Sequence, residues 1–492
     1  VKYSVGFNKK GKIKGLDITL LSNAGNVCDL SAPVMSRALT HLDNCYSFKD
    51  FTARGYICKT NTVSNTAFRG FGGPQGMLAI ETILERVSRF LGIDLDALRR
   101  ENYYSPKNGI KTPYGQIVKN IKIEKIINEM ETFAGLEKRK LLVERFNTSQ
   151  INKNQPYRKG IAFMPAKFGI SFNKVSLNQA GALVHVYTDG SVRLNHGGTE
   201  MGQGLFIKVA QVVSECFNIP IDYVHISGTN TDEVPNTSAT AASSGSDING
   251  MAAWKAATVI KQRMLKHASK VFKKPPSSIE FKNGLILSGN KSMTFKELAF
   301  SCWENRISLS STGFYKTPKI SWDQEKFKGS PYFYFTWGAA VSEAIIDIDT
   351  GESRILRADI IQDCGSSLNP LIDRGQIEGG FIQGIGWLTC EELYFNPEGK
   401  LLTLGPSTYK IPGSRDVPPE FNIRLLENTP NEEKTIFRSK AVGEPPLLLS
   451  ISHFLALKNA VSMASETSNA DLLNAPATPS KILAAVHNDH SM

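Results

Sequence analysis

The feature that most constrains the fold of this chain is a structural unit that occurs twice: a β-hairpin, a glycine-rich stretch and a helix. Alternating apolar residues on either side of a turn that ends in glycine predict the two hairpins, at 182–195 and 344–361. Helices are predicted to open at glycine- and glutamine-bearing stretches, at 202–204 and at 375–386. This repetition predicts an α+β fold with pseudo-repeated hairpin–helix units.

The length of 492 residues exceeds what one hydrophobic core usually organises, so two or more domains are expected. The polar stretch at 147–159 is the best candidate linker. We therefore predict a first domain at 1–146 and a second at 158–486. The first residue is Val1 and a strand is predicted from it onward, so we expect the chain to begin inside a domain of a longer polypeptide.

Composition narrows the class of protein. Hydrophobic residues make up 41% of the chain and charged residues 21%, which is typical of a globular protein. No run approaches the roughly 18 uncharged apolar residues of a membrane helix, so no membrane partner is expected. The net charge of +11 is scattered in short clusters without interleaved aromatic residues. That distribution favours a solvated surface over a nucleic-acid interface.

Cysteine and histidine are placed in a way that bears on metal binding. The seven cysteines are widely spaced without a CxxC motif, and the eight histidines include no HExxH motif. This pattern predicts neither a disulfide framework nor a zinc or iron–sulfur site built from side chains, and it favours a reducing compartment.

Two glycine-rich segments lie directly before predicted helices, at 65–75 (NTAFRGFGGPQ) and at 196–204 (HGGTEMGQG). A helix N-terminus with exposed amides, beside Arg69 or Gln203, suits an anion or a flat ligand. The alternative is a structural turn whose glycines allow positive φ. Pro74 and the lack of a GK[ST] motif argue against the Rossmann and P-loop fingerprints.

Two later segments could complete a site. The run at 236–245 (NTSATAASSG) consists of small and hydroxyl residues, typical either of a flexible loop or of a close approach to a cofactor. The segment 440–446 (KAVGEPP) places Glu444 between glycine and two prolines, before the apolar run 447–457. We expect its carboxylate at the edge of an apolar region, without an adjacent lysine or arginine, as suits a general base. The alternative is a glutamate in a surface turn.

Taken together and in this order, these segments resemble the molybdopterin-binding part of the molybdenum hydroxylases, the xanthine dehydrogenase and aldehyde oxidase family. The likeness extends over nearly the whole chain. It implies two elongated molybdopterin-binding domains. Each motif alone is weak, whereas the ordered set is specific. The further matching motifs are KFGISF at 167–172, LNQAG at 177–181, GSSLNP at 365–370, GPSTYKIP at 405–412 and APATP at 475–479.

In this family a molybdenum ion with a sulfido ligand is held by the dithiolene of a pterin rather than by side chains. The resemblance implies hydroxylation of a substrate carbon with oxygen from water, with Glu444 as the general base. Two electrons then leave toward 2Fe-2S centres and FAD, which would belong to the parent protein and not to this chain.

The same resemblance implies the residues that contact the cofactor. Arg69 and Ala242 would approach the molybdenum through their main chain, with no side-chain ligand to the metal. The remaining cofactor contacts would be Phe68, Gly202, Gln203, Ala241 and Gln376.

Four residues are implied on the substrate side. Phe71 and Phe172 would sandwich a planar heteroaromatic ring. Arg37 matches an arginine that purine-oxidising members use and aldehyde oxidases replace, although its sequence alone indicates a solvated helix charge. Asn173 stands where those members have threonine, and an asparagine can still donate to a purine oxygen.

The resemblance thus predicts oxidation of hypoxanthine to xanthine and urate, with an aldehyde or another N-heterocycle, such as a nicotinate-type ring, as the alternative substrate. An inactive scaffold and a nucleic-acid binding module are the alternatives from other classes. Glu444 with intact glycine loops argues against the first, and the scattered charge against the second. The family also implies a homodimer in the cytoplasm or the peroxisome, with NAD or oxygen as electron acceptor.

Overall fold

The computed structural model describes residues 1–234 and 237–489, so that Asn236, at the start of the small-residue run, lies outside the described residues. The helices are α1 (Ser31–Leu39), α2 (Gly73–Leu91), α3 (Leu95–Asn102), α4 (Ile123–Ala134), α5 (Leu136–Asn152), α6 (Leu205–Phe217), α7 (Gly245–Phe272), α8 (Phe295–Glu304), α9 (Pro370–Thr389), α10 (Pro445–Leu448), α11 (Ile451–Ser462) and α12 (Pro479–His487). The strands are β1 (Lys2–Phe7), β2 (Ile13–Gly25), β3 (Asp50–Lys59), β4 (Tyr157–Ile170), β5 (Gln179–Val186), β6 (Val192–His196), β7 (Val224–Ile226), β8 (Glu280–Lys282), β9 (Leu285–Ser288), β10 (Lys291–Thr294), β11 (Ser310–Lys316), β12 (Ser321–Asp323), β13 (Lys328–Ser330), β14 (Tyr334–Asp347), β15 (Ser353–Gln362) and β16 (Glu420–Leu425).

The first part of the chain is a three-stranded sheet, β1–β2–β3, covered by α1 and α2. The first two strands form a hairpin and the third runs parallel to β2. Helix α2 ends where Gly92 adopts the left-handed conformation, at φ 65°. The cap of α3 follows at once, because the Asp94 carboxylate accepts the amide of Ala97 at 2.9 Å.

The two hairpins of the repeated unit lie in two different four-stranded sheets. The first, β5–β6, belongs to the sheet β11–β5–β6–β7, against which α6 and α7 pack. The second, β14–β15, belongs to the sheet β16–β15–β14–β4. Both hairpin predictions are confirmed, and each hairpin is followed by a helix: α6 begins directly after Gly204, and α9 itself contains glycines. The second helix begins at Pro370, earlier than predicted, because the Asn369 side chain caps it by accepting the amide of Ile372.

The sheet β16–β15–β14–β4 carries the largest hydrophobic core, and almost all of α11 is buried against it. The contact is close at Gly160 of β4, where a Cβ would lie 1.9 Å from the carbonyl oxygen of Ala456. This packing places α10, and with it the segment around Glu444, at the end of the sheet.

The predicted linker at 147–159 is wrong. Helix α5 continues to Asn152 and β4 begins at Tyr157, so only a short connection remains between them. The polar residues of this stretch cover the outside of a helix, and the buried Asn147 side chain exchanges two hydrogen bonds with the backbone of Lys159, at 2.8 and 2.9 Å. A single hydrophobic core contains residues between positions 13 and 143 together with Trp337 of β14. The domain division at 146 and 158 stays a prediction.

Two features are absent from the residues that the structure describes, 1–234 and 237–489. None of their helices has the length and apolar character needed to cross a bilayer. Nor do they bring together three or more histidine, cysteine, aspartate or glutamate side chains that could hold a metal ion.

Candidate active site

Glu444 lies at the N-terminus of α10, where it meets the small-residue run. The Ser243 hydroxyl donates to Glu444 Oε2 at 2.8 Å and accepts the Glu444 amide, also at 2.8 Å. The other carboxylate oxygen, Oε1, has no hydrogen-bond partner among the described residues. The side chain is 14% exposed. One oxygen is therefore fixed and the other is free to take a proton.

Arg69 ties the first glycine-rich segment to Glu444 and to α9. Its Nε donates to the carbonyl of Gly443 at 2.6 Å, and its Nη2 lies 3.2 Å from the Gln376 carbonyl and 3.3 Å from Gln376 Oε1. Its Nη1 donates to Gln383 Oε1 at 3.3 Å. Burial lowers the pKa of Arg69, and the negative charge of Glu444 partly offsets this effect.

The backbone of the small-residue run turns sharply beside Glu444. Ala242 and Ser243 both adopt left-handed conformations, at φ 56° and 54°. Ala242 is buried, and its amide donates to no acceptor among the described residues. Two successive residues of this kind turn their amides into one concavity, which suits an anionic or oxygen-bearing ligand. Ala241 is half-buried and its carbonyl accepts the amide of Ser244 at 3.4 Å.

One face of α9 is open beside Gln376. A Cβ at Gly375 or Gly379 would meet nothing within 4 Å. The neighbouring face, which carries Gln376 and Gly380, is tightly packed, since a Cβ at Gly380 would meet the guanidinium of Arg69 at 3.0 Å. Phe68 also faces α9, with its ring 6.0 Å from that of Trp387. Helix α9 therefore presents bare backbone at Gly375 and Gly379, next to the side chain of Gln376 that contacts Arg69, to a group that could lie flat against it.

The loop 196–204 contacts the small-residue run, because the Thr199 amide donates to Thr240 Oγ1 at 2.8 Å. Within the loop, Gln203 donates to the Thr199 carbonyl at 2.8 Å and accepts the amide of Met201. Gly202 is exposed, with φ 91°, and its amide donates to Glu200. Gln203 thus lies in a loop that contacts the small-residue run, and its side chain is hydrogen-bonded within that loop.

The N-terminus of α6 is occupied by a carboxylate of the chain. Glu200 accepts the amides of Gly202, Gly204 and Phe206 at 2.9 to 3.0 Å. These bonds hold the pKa of Glu200 below its usual value. Glu200 thus takes amides of this helix terminus that an anion would otherwise use, which favours the alternative of a structural turn for this loop. The contacts of Gly202 and Gln203 with a cofactor stay predictions.

Arg37 lies inside the protein, and the interpretation of its side chain as a solvated helix charge is excluded. It is 3% exposed, and its guanidinium packs on the rings of Phe168 and Tyr332, 4.7 and 5.3 Å from their centroids. Its Nη1 and Nη2 donate to the carbonyls of Ser171 and Gly169 at 2.9 and 2.6 Å. Arg37 thereby fixes the end of β4.

The expectation that Glu444 has no cation beside it is wrong. Nη2 of Arg37 lies 4.0 Å from Glu444 Oε2, and Arg69 donates to the carbonyl of the adjacent Gly443. This arrangement could not be predicted from the sequence, because Arg37 in α1 and Arg69 in the loop before α2 are far from Glu444 along the chain. The apolar run after Glu444 is buried, and it lies in α10 and α11, the two helices that follow the glutamate in the chain.

The two aromatic residues of the predicted clamp both lie in this region. Phe71 sits in a left-handed turn, φ 52°, next to Gly72, which packs against α1 so closely that a Cβ would lie 2.1 Å from Val34 O. Phe172 directly follows β4, and its amide donates to Asn178 Oδ1 at 2.8 Å. Both rings are half-buried. Their spacing as a clamp stays a prediction.

Asn173, next in the chain, points toward α1. Its Nδ2 donates to Ser36 Oγ at 3.4 Å, while its Oδ1 is buried without a hydrogen-bond partner. A buried amide oxygen in this state is disfavoured unless a ligand or water donates to it. Asn173 therefore suits a role in recognising a polar ring.

Three residues of this site were missed from the sequence. Ser243 lay inside a segment that was singled out, but nothing local marks one of its serines as the partner of Glu444. Gln383 lies in the predicted glycine-bearing helix, where no sequence signal distinguishes it from its neighbours. Tyr334, whose hydroxyl accepts the amide of Ala441, lies in a strand whose apolar pattern indicated only a core.

The chain belongs to the family of molybdopterin cofactor-binding domains, whose models match residues 1–103 and 130–418. Among named proteins it is 46% identical to the xanthine dehydrogenase/oxidase of Felis catus over 488 residues, which is 98% of this chain and 35% of that protein. It is 45% identical to the xanthine dehydrogenase of Dictyostelium discoideum, over 98% of this chain and 34% of that protein. The chain thus spans about a third of the length of these relatives.

Solved structures agree in fold. The Cu,Mo-CO dehydrogenase superposes with a TM-score of 0.84 over 99% of this chain and 61% of that one, at 20% identity. Quinoline 2-oxidoreductase from Pseudomonas putida 86 superposes with a TM-score of 0.81 over 98% of this chain and 61% of that one, at 21% identity. These likenesses confirm the α+β architecture predicted from the repeated unit.

Proposed function

We propose that this chain is the catalytic part of a molybdenum hydroxylase that oxidises purines. The observation that carries the proposal is the state of Glu444. Its Oε2 is fixed by Ser243, its Oε1 is free, and it lies close to segments that the family resemblance implies at the cofactor. A carboxylate with one oxygen held and one available is arranged as a general base.

The residues present fit a molybdenum–pterin cofactor. The unpaired amide of Ala242 and the bare face of α9 beside Gln376 offer donors and space to a flat, oxygen-bearing group. Arg69 would hold the two sides of the site together through Gly443 and Gln376. Gln203 would reach the cofactor after its side chain leaves the contact with Thr199.

When bound, the cofactor supplies the two-electron oxidation. The contribution of the chain is acid–base chemistry and positioning. Glu444 Oε1 accepts the proton that must leave water-derived oxygen as that oxygen is transferred to the substrate carbon, while the Ser243 hydroxyl keeps Oε2 in place. Arg37, 4.0 Å from the carboxylate, lies where it can stabilise negative charge on the substrate ring.

The proposed substrate is a purine such as hypoxanthine or xanthine. Support comes from Arg37, from the flat slot expected between Phe71 and Phe172, and from the named relatives. The unsatisfied Oδ1 of Asn173 adds an acceptor that suits a ring N–H. An aldehyde offers no ring N–H to that oxygen, which places aldehydes second.

The relatives are about three times as long as this chain, so we propose that the electrons pass to 2Fe-2S and FAD groups in other parts of a larger enzyme. We further propose, from the family resemblance, a homodimer located in the cytoplasm or the peroxisome. Sedimentation of the full-length enzyme and cell fractionation test these two points.

The substrate proposal is tested with the full-length enzyme, a dye as electron acceptor, and xanthine, hypoxanthine, nicotinate and a benzaldehyde compared as substrates. The expected result is kcat/KM highest for the purines, with one molybdenum per chain and ¹⁸O from labelled water in the product. Turnover of the aldehyde alone would contradict the purine assignment, and absence of molybdenum from the active enzyme would contradict the reaction class.

A further inference from the structure

The main chain that leads to Glu444 is anchored on several sides by buried groups. At its start, Lys440 Nζ donates to Asp363 Oδ2 at 2.6 Å. At its end, the Gly443 carbonyl accepts from Arg69 Nε at 2.6 Å. Between these anchors, the direction of the chain depends on Ala441, whose amide points into the protein.

The amide of Ala441 takes part in a hydrogen-bond chain that ends on α7. It donates to the Tyr334 hydroxyl oxygen at 2.9 Å, and that hydroxyl donates in turn to Asp247 Oδ2 at 2.7 Å. All three residues are buried. Because a hydroxyl has one proton and two lone pairs, Tyr334 can satisfy both partners at once.

Helix α7 therefore reaches the Glu444 segment at two points. Ser243, just before the helix, holds the carboxylate itself. Asp247, in the first turn of the helix, holds the backbone through Tyr334 and Ala441. Asp247 is also close to Lys208, which pairs with Asp373 at the start of α9, the helix that carries Gln376. The same end of α7 thus contacts the Glu444 segment and lies near the ion pair between Lys208 and α9.

We propose that Asp247 and Tyr334 are positioning residues for the general base: they set the path of residues 440–444 and thereby the placement of Glu444. This inference rests on the proposed role of Glu444. Neither residue touches the reacting atoms. Their effect comes through Ala441, whose amide would have no buried acceptor without the Tyr334 hydroxyl.

The test is Tyr334→Phe in the full-length, cofactor-loaded enzyme, since phenylalanine keeps the ring and removes only the hydroxyl. We expect kcat for xanthine to fall by roughly 10- to 100-fold with KM within about twofold, because a small displacement of a base affects the transition state more than binding. Hydrogen exchange at the Ala441 amide, measured by mass spectrometry of the peptide, should accelerate by about 2- to 10-fold.

Tyr104→Phe is the matched control. Its hydroxyl is equally buried and donates to a carboxylate, Asp43 Oδ2, at 2.6 Å, but it is not directed at residues 440–444. We expect it to leave kcat and the Ala441 exchange within about twofold of the wild type. Asp247→Asn keeps an acceptor for Tyr334 and should retain most activity, whereas Asp247→Ala should behave like Tyr334→Phe.

The inference is overturned if Tyr334→Phe and Asp247→Ala match Tyr104→Phe in both kcat and Ala441 exchange. The exchange measurement separates this failure from failure of the proposed function. If Glu444→Gln proved fully active, the base assignment would fall, while faster exchange in Tyr334→Phe would still establish the structural link.

Discussion

Ser243 and Glu444, 201 residues apart, are joined by two hydrogen bonds of 2.8 Å, in which one hydroxyl donates to the carboxylate and accepts the amide of the same glutamate. Each side chain constrains the other. The serine has a left-handed backbone, at φ 54°, that is unusual for a residue other than glycine. Such a conformation is retained when the surroundings require it, and here it places the hydroxyl on the base.

Ser243→Ala should therefore reduce kcat more than it reduces stability. A hydrogen bond to a charged group contributes about 1.5–3 kcal/mol, which corresponds to roughly 10- to 100-fold in rate if it is used in the transition state. Steady-state kinetics with xanthine checks this. Ser462→Ala, whose hydroxyl bonds only to the local carbonyl of Asn459, serves as the control. Equal kcat in both variants would contradict the prediction.

Arg69→Lys should reduce molybdenum content as well as activity. Lysine keeps the charge but cannot reach Gly443, Gln376 and Gln383 together, since it lacks the planar fork of arginine. Metal analysis of the purified variant is the measurement. Arg374→Lys, an exposed change in α9, should retain full occupancy. Full occupancy in Arg69→Lys as well would show that the arginine does not help to hold the cofactor.

Arg37→Met should lower the free energy of unfolding by about 2–5 kcal/mol, because the buried carbonyls of Gly169 and Ser171 lose their donors. Denaturant unfolding measures this loss. Arg54→Met removes an exposed ion pair with Asp17 and should cost less than about 1 kcal/mol. KM for xanthine should also rise in Arg37→Met, since the end of β4 carries Phe172. An unchanged KM would count against that placement.

Asp247 should make stability depend on pH. Burial raises its pKa to about 7, and the groups that face it are Tyr334, Lys208 and Tyr315. The folded state holds this proton more tightly than the unfolded state. Its contribution, up to about 4 kcal/mol, is therefore present below about pH 4 and is lost as the pH rises through about 7.

Asp247→Asn removes this titration. The melting temperature of the variant should therefore fall less than that of the wild type between about pH 5 and pH 8. Differential scanning fluorimetry in one buffer series checks the difference. Parallel curves for the two proteins would show that Asp247 does not hold its proton in the folded state.

Much of the architecture could be predicted from local signals. Turns at Gly190 and Gly351 marked the hairpins, and Asp94 marked the start of a helix. The linker at 147–159 was mistaken because polar composition does not distinguish a solvated helix from a loop when the burying contact, Asn147 with Lys159, comes from tertiary structure. A local sequence pattern indicates the periodicity of a segment, but it does not indicate which other element packs against that segment.

The site was predictable only as a set of segments. Glu444 stood out because it lies between glycine and two prolines, but its partners Ser243 and Arg37 are brought to it by the fold. The position of Gln203 came from the family resemblance, and its engagement with Thr199 could not be seen in the sequence. Long-range hydrogen bonds carry no local signature, which is why the anchors around residues 440–444 emerged only from the structure.

The most direct test of the account is Glu444→Gln in the full-length enzyme, with the rate of enzyme reduction by xanthine measured in stopped flow. Glutamine keeps the shape and an acceptor for Ser243 but cannot accept the proton. Glu432→Gln, an exposed change in a nearby loop, is the control. We expect the rate to fall by at least about 10²–10⁴-fold with molybdenum content unchanged. Reduction at the wild-type rate in Glu444→Gln would contradict it.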